Sequence, residues 1–342
     1  MEDNIVDYRE LLKTKEYDFL RENEHLKDNI CLLTLGGSHA YGTNIPTSDI
    51  DIRGITLNSK KELFRLVPDF EQVVETNTDT TIYSLLKMSK LLLENNPNTI
   101  EILGCKPEHY LYLDEIGKIL LENAHHFLSI IAIDKFGGYA RAQYNRLEHG
   151  LLGNGHNDDK KLQMMKHSME CTLNAFNMKH KKNIIDLNLR IKEDSTNQLE
   201  DLLVTGSFKD YPVTELKTIV SEIHKVQSEY GNINKRNTKK TDLALAKHMM
   251  HLIRLYLMGT KLNRECVIQT YWDGKEHDML MDIRNQKYMY EDGKRVRPEF
   301  YELLHDIQSE YEKSVLETIL PEKPNYEALE AMYCDIYKRI LV

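Results

Sequence analysis

Asp49 and Asp51 stand two residues apart in Asp-Ile-Asp-Ile-Arg-Gly-Ile-Thr-Leu, where polar and apolar residues alternate as on a half-buried strand. On such a strand both carboxylates face the same way, and like charges that close repel unless a cation lies between them. The pair therefore predicts an oxygen-liganded Mg2+ or Mn2+, with Ile50 and Ile52 turned to the core. Just upstream, the aliphatic run Ile-Cys-Leu-Leu-Thr-Leu at 30–35 reads as a buried strand and is closed by Gly36-Gly37-Ser38. Glycines there let the backbone approach a ligand and leave amide N–H groups free, and Ser38 adds a hydroxyl, so the turn can cradle phosphates. A lone Gly-Gly-Ser is usually only a turn, and a lone Asp-x-Asp usually a solvated face. Strand, glycine turn and paired carboxylates in series point to metal-assisted displacement at phosphorus.

Gly37-Ser38 followed by Ser48-Asp49-Ile50-Asp51 resembles the signature of the DNA polymerase β nucleotidyltransferase superfamily. The longer string Gly-Gly-Ser-His-Ala-Tyr-Gly-Thr-Asn, with Asp-Ile-Asp-Ile-Arg-Gly, is similar to one branch of it, the RNA-ligase-associated polymerases (RlaP). The likeness continues downstream at 235–240, 247–255 and 282–285. The resemblance implies a nucleoside triphosphate held with two Mg2+ or Mn2+ ions by three catalytic, metal-ligating carboxylates. It further implies transfer of the nucleoside monophosphate to a hydroxyl, with pyrophosphate leaving. An RNA or DNA end is the first expectation for the acceptor; a protein or small-molecule hydroxyl, or a silent nucleotide-binding protein, are the alternatives.

Two residues compete for the third carboxylate. Asp79, in Asn-Thr-Asp-Thr-Thr-Ile-Tyr-Ser, heads a β-branched stretch suited to a strand beside the first pair, and it is the choice. Glu101 follows Asn96-Pro97 and reads as a first-turn helix residue, for which packing is the expected role. Gly37, Ser38, Tyr41, Gly42, Ser48 and Arg53 are the nucleotide-binding candidates around the loop, with His39 a weaker phosphate contact or a support for the turn. Farther on, Lys247, His251 and Arg254 fall at i, i+4 and i+7, one helix face, opposite an apolar stripe of Leu245, Met249, Leu252 and Tyr256. Lys247 joins the nucleotide-binding set, and Arg254 is a possible second phosphate clamp; a solvated helix face is the plain alternative.

The elements that must position these residues form an α+β chain: a small mixed-sheet, polymerase β-like domain over residues 1–110, then a mainly helical domain over 111–342 closing a cleft. Helical spacing is expected over 3–25, 84–93, 119–132 and 136–149, with loops at 95–98, 150–159 and 192–197 and a last amphipathic helix within 321–342. The 342 residues carry 54 acidic and 45 basic side chains, a net charge of −9 that argues against a broadly basic nucleic-acid surface. One local basic run, Lys-Arg-Asn-Thr-Lys-Lys at 235–240, lacks interleaved aromatics for base stacking. Five dispersed cysteines show neither a disulfide framework nor zinc spacing. No apolar segment reads as a signal peptide or membrane span, so a cytoplasmic enzyme without a membrane partner is expected.

Overall fold

The structure, a computed structural model, describes residues 7–65, 70–155, 173, 188–193, 199–206, 216–217, 219–224, 226–227, 242–291 and 295–341. The basic run at 235–240 lies outside them, as do residues 156–159 and 194–197 of the two expected loops. Strands β1 (Ile30–Leu35), β2 (Ile52–Thr56), β3 (Gln72–Glu75), β4 (Thr80–Ser84) and β5 (Tyr110–Leu113) form one sheet in the order β3-β4-β2-β1-β5. β2 and β4 run parallel, with Ile52 opposite Thr80, and every other pairing is antiparallel. The helices are α1 (Tyr8–Leu11), α2 (Phe19–Glu22), α3 (Gly37–Tyr41), α4 (Lys60–Leu63), α5 (Leu85–Leu93), α6 (Pro97–Ile100), α7 (Glu115–Glu122), α8 (Ile131–Gly155), α9 (Asp242–Glu265), α10 (Gly274–Arg284), α11 (Pro298–Leu316) and α12 (Tyr326–Leu341). A mixed sheet followed by a helical C-terminal part is the α+β architecture expected of a polymerase β-like chain.

Two compact units are present. One comprises Met1–Arg146, Ala246–Tyr290 and Val296–Val342, the other Leu147–Leu245 and Glu291–Arg295. The second contains the antiparallel hairpin of β6 (Asn188–Glu193) and β7 (Leu199–Thr205). The boundary expected at 110/111 falls inside β5 of the first unit, which also takes in helices α10 to α12. No helix among the described residues is long and apolar enough to cross a membrane.

Continuous burial of β1, all six residues of Ile30–Leu35, reflects its central place between β2 and β5. Its Leu33 and Leu35 pack with Ile52, Ile82, Leu111 and the N-terminal Leu12, Tyr17, Leu20 and Leu26. Of the helix expected over 3–25, residues 3–6 lie outside the described residues, and 7–25 do not form one helix. The Thr14 hydroxyl bonds back to the Leu11 carbonyl at 2.8 Å, a local competitor of helix continuation, and the chain restarts at α2. The helix expected over 119–132 is also interrupted, because Asn95 reaches in from the end of α5. Its amide donates to the Phe127 carbonyl at 2.8 Å, and its oxygen accepts from the Ser129 amide at 2.9 Å, satisfying the backbone between α7 and α8. The loop expected from 150 is helical as far as Gly155, and Lys192 and Glu193 belong to β6 rather than to a loop. α5 forms where expected, its first turn capped by Ser84, which accepts from the Lys87 amide at 3.2 Å.

Candidate active site

The site is built where β1 ends. The Gly36 amide donates to the Asp51 carbonyl at 2.8 Å, so the carboxylate-bearing segment lies along the exit of β1. Gly37 then opens α3 with φ of +54°, and a Cβ built there would fall 1.9 Å from Asp51 Oδ2. Only glycine leaves room for the carboxylate to rest on the turn. Gly42, at φ +77°, closes α3 in the left-handed conformation, with the Tyr271 ring against it. Ser38 is buried, and its carbonyl accepts from the Thr43 amide at 2.9 Å, folding the loop on itself. Ser48 stiffens the return: its hydroxyl accepts from the Ile45 amide at 2.8 Å.

Asp49 and Asp51 are not within a strand. The β1 ladder ends with Leu35 opposite Ile52, so the residues just before Ile52 have no partner strand. The alternation persists: Ile52 is fully buried, Ile50 packs on the core, Asp51 is half-buried and Asp49 exposed. Asp79 occupies the turn before β4, at φ +43°, a conformation aspartate tolerates better than most residues. Because β4 is the parallel neighbour of β2, that turn arrives at the end of the sheet where Asp51 stands.

Arg53 ties the two acids together. Its Nη2 donates to Asp51 Oδ1 at 3.0 Å and to Asp79 Oδ1 at 3.3 Å, and its Nη1 to the Asp79 carbonyl at 2.5 Å. Burial pushes the Asp51 carboxyl up to about 6. The Arg53 guanidinium opposes that rise, the Asp79 carboxylate adds to it, and the Lys247 ammonium opposes it. Exposed Lys247 on α9 therefore acts on the same carboxylate from the helical part of the chain. A crowded carboxylate pair with hard oxygen donors and a raised pKa at Asp51 fits the requirements of Mg2+ or Mn2+, whose charge would favour the Asp51 carboxylate. Among the described residues no three Asp, Glu, His or Cys side chains are gathered closely enough to hold an ion. The structure thus brings Asp51 and Asp79 together and leaves Asp49 outside the pair.

Three expectations are corrected. Tyr41 does not line an open loop: it is buried, its hydroxyl donates to Glu101 Oε1 at 2.8 Å, and burial drives its phenol pKa upward. Arg254 is not on a solvated basic face. It is buried, its Nη1 donates to Glu101 Oε2 at 3.1 Å, and its guanidinium carbon lies 3.7 Å from the centre of the Tyr41 ring. With both oxygens engaged in this way, Glu101 is the counter-ion of Arg254. His251, expected on the same face, packs edge-on to Tyr41 at 5.8 Å and is held neutral by burial and by surrounding cations. α9 is buried on nearly every side from Met249 to Met258, and for that reason its stripe pattern misled. His39 turns to the N-terminal segment, with Nδ1 3.0 Å from the Tyr8 hydroxyl, and so supports the turn.

Residues 271–284 were not singled out as site-forming, although 282–285 shared the family likeness. The Trp272 amide donates to the Tyr41 carbonyl at 3.2 Å, and His277 Nε2 lies 3.0 Å from the Gly42 carbonyl, so this segment braces the glycine loop. Its apolar pattern is short and irregular, leaving little signal to read.

Gly37→Ala is expected to lower any transfer activity by about two orders of magnitude, because the methyl group must displace the Asp51 carboxylate. The positive φ adds a stability cost of roughly 1–2 kcal/mol. Pyrophosphate release and denaturant melts check the two effects separately; unchanged activity would show that the carboxylate position is immaterial.

A mixed sheet with a glycine turn at one strand end and convergent aspartates beside it defines a polymerase β-like nucleotidyltransferase fold. The chain belongs to the RlaP family, the RNA repair pathway DNA polymerase beta family, whose model matches residues 12–182. The family's description sets its members in an RNA repair pathway. The chain is also similar to an uncharacterized 38.9 kDa protein from the nrdC-mobD intergenic region of Enterobacteria phage T4. The two are 26% identical over 131 residues, 34% of this chain and 38% of that protein. The match therefore spans well under half of that relative's length. No solved structure matches the chain.

Proposed function

We propose that the protein is a metal-dependent nucleotidyltransferase that moves a nucleoside monophosphate from a nucleoside triphosphate to the hydroxyl of an RNA or DNA end in the cytoplasm, releasing pyrophosphate. The observation that carries this reading is the convergence of Asp51 and Asp79 beside Gly37, with Lys247 acting on the same carboxylate. Asp51 and Asp79, with Asp49 adjoining them in sequence, are the residues that would hold Mg2+ or Mn2+. A divalent ion held there would supply positive charge against the phosphates. The Gly37 and Ser38 turn orients the triphosphate, and Lys247 supplies a mobile positive charge to it. Exposed Asp79 accepts the proton of the attacking hydroxyl as the new oxygen–phosphorus bond forms and the bond to pyrophosphate breaks.

The test offers each α-labelled triphosphate, with Mg2+ or Mn2+, to RNA, DNA and cell extract, comparing wild type with Asp49→Ala/Asp51→Ala. Label transfer that persists in the double variant sinks the assigned site. The net charge of −9 favours a second reading, in which the hydroxyl belongs to a protein or small molecule. Label appearing only in the extract arm would select it. Lys247→Ala is expected to raise the KM for the triphosphate about 10-fold or more, the worth of one charge-assisted hydrogen bond. Its exposed position leaves melting unchanged, and an equal KM in variant and wild type would remove Lys247 from the site.

A further inference from the structure

Two arginines of the first unit are almost wholly buried, and they are treated in opposite ways. Arg254 has Glu101 at 3.1 Å and the face of Tyr41. Arg284, the last residue of α10 and only 7% exposed, has no carboxylate partner among the described residues, and its Nε is closed off from solvent without a hydrogen bond. Its terminal nitrogens are not closed off in that way, so the free end of the fork meets accessible space. Burial alone acts on its pKa, downward, with no anionic neighbour among the described residues to offset it. A guanidinium desolvated without a counter-charge is costly to keep, and a helix C-terminus recovers only a fraction of that cost.

The surroundings are positive as well. Arg284, Arg254, Lys247 and His248 all oppose protonation of His251, and of these Arg254 is already neutralised by Glu101. His277, Leu280 and Arg284 share one face of α10 at i, i+3 and i+7. Leu280 is buried, and His277 reaches the Gly42 carbonyl at 3.0 Å, so this face is the one laid toward the glycine loop. Arg284 follows two turns along it, about 10 Å on.

We infer that Arg284 is an anion-binding residue of the site, its planar fork taking the oxygens of a phosphate group delivered by the donor triphosphate or by the acceptor strand. The ligand class rests on the transferase reading above; the anion site itself rests on the buried guanidinium that has no partner among the described residues. Bidentate capture of a phosphate by the two terminal nitrogens supplies the missing counter-charge.

Calorimetric titration of the full chain with Mg2+ and inorganic tripolyphosphate, and separately with a 5′-phosphorylated RNA oligonucleotide and its 5′-hydroxyl twin, tests this in wild type and Arg284→Gln. The expected result is at least a 10-fold loss of affinity in the variant for tripolyphosphate, which identifies the donor as source. A loss confined to the phosphorylated oligonucleotide identifies the acceptor. Ligand-free Arg284→Gln should melt at or above the wild-type temperature, since an unpaired buried charge has been removed. Equal affinities for both probes in the two proteins, or a lower melting temperature with unchanged affinity, would overturn the inference and leave Arg284 a helix-end residue. Arg284→Lys keeps the charge but loses the fork, and weaker binding is again expected if the glutamine variant does not fold. Anion binding lost in Arg284→Gln while wild type transfers no label would sustain the anion site and reject only the transferase reading.

Discussion

Asp51→Asn is expected to lower nucleotidyl transfer by about three orders of magnitude while leaving the ligand-free protein as stable as wild type. The two halves of that result have separate causes. Activity falls because the amide removes the negative oxygen that rests on Gly37 and would hold a divalent ion. Stability holds because the backbone link that places residue 51, from the Gly36 amide to its carbonyl, does not involve the side chain. The carboxylate is also crowded, only 17% exposed and adjacent to Asp79, so neutralising it removes a repulsion. Arg53 loses one acceptor but keeps the Asp79 carboxylate and the carbonyls of Ile52 and Asp79. Single-turnover label transfer and a urea melt of the same preparations check both halves. Full activity in the variant would remove Asp51 from the chemistry, and a matched fall in stability would reassign its effect to folding.

Glu101→Ala should give the largest stability loss, about 3–5 kcal/mol, because it leaves a buried guanidinium without its counter-ion. Arg254 and Glu101 are 4% and 13% exposed at their side chains, so water cannot readily replace the lost carboxylate. The Tyr41 hydroxyl would lose its acceptor too, loosening α3 from α9 and with it the helix that carries Lys247. Replacing both partners with apolar residues, Glu101→Leu with Arg254→Met, is expected to recover most of the loss, since no uncompensated charge remains. Denaturant midpoints of the single and double variants form the cycle that decides it. A double variant no better than Glu101→Ala alone would show that packing at this position, not charge pairing, carries the effect.

The donor half of the site could be read from neighbours in sequence. Ile30–Leu35 is apolar enough to be a buried strand, the glycines that follow it are needed where the carboxylate touches the turn, and Ile52 is inward as the alternation requires. Asp79 could be anticipated from a β-branched segment that becomes the parallel neighbour of β2. These inferences work because strand periodicity and turn chemistry act over a few residues. They failed where a distant side chain intervened, as when Asn95 divided the helix expected over 119–132.

The charged residues of α9 show where reading along the chain stops. Lys247 and Arg254 share a helix face in the sequence, and nothing local separates a lysine that stays exposed from an arginine that enters the core. The difference comes from Glu101, 153 residues away in sequence, which packs against Arg254 but not Lys247. The same holds for Arg284, whose lack of any acidic partner among the described residues is a property of its surroundings and not of its own segment. Local order along the chain was enough for the glycine turn and the acids beside it. Which charges are paired, which are desolvated and which are left to bind a ligand depended on packing, because a charge's free energy is set by the groups folding places around it.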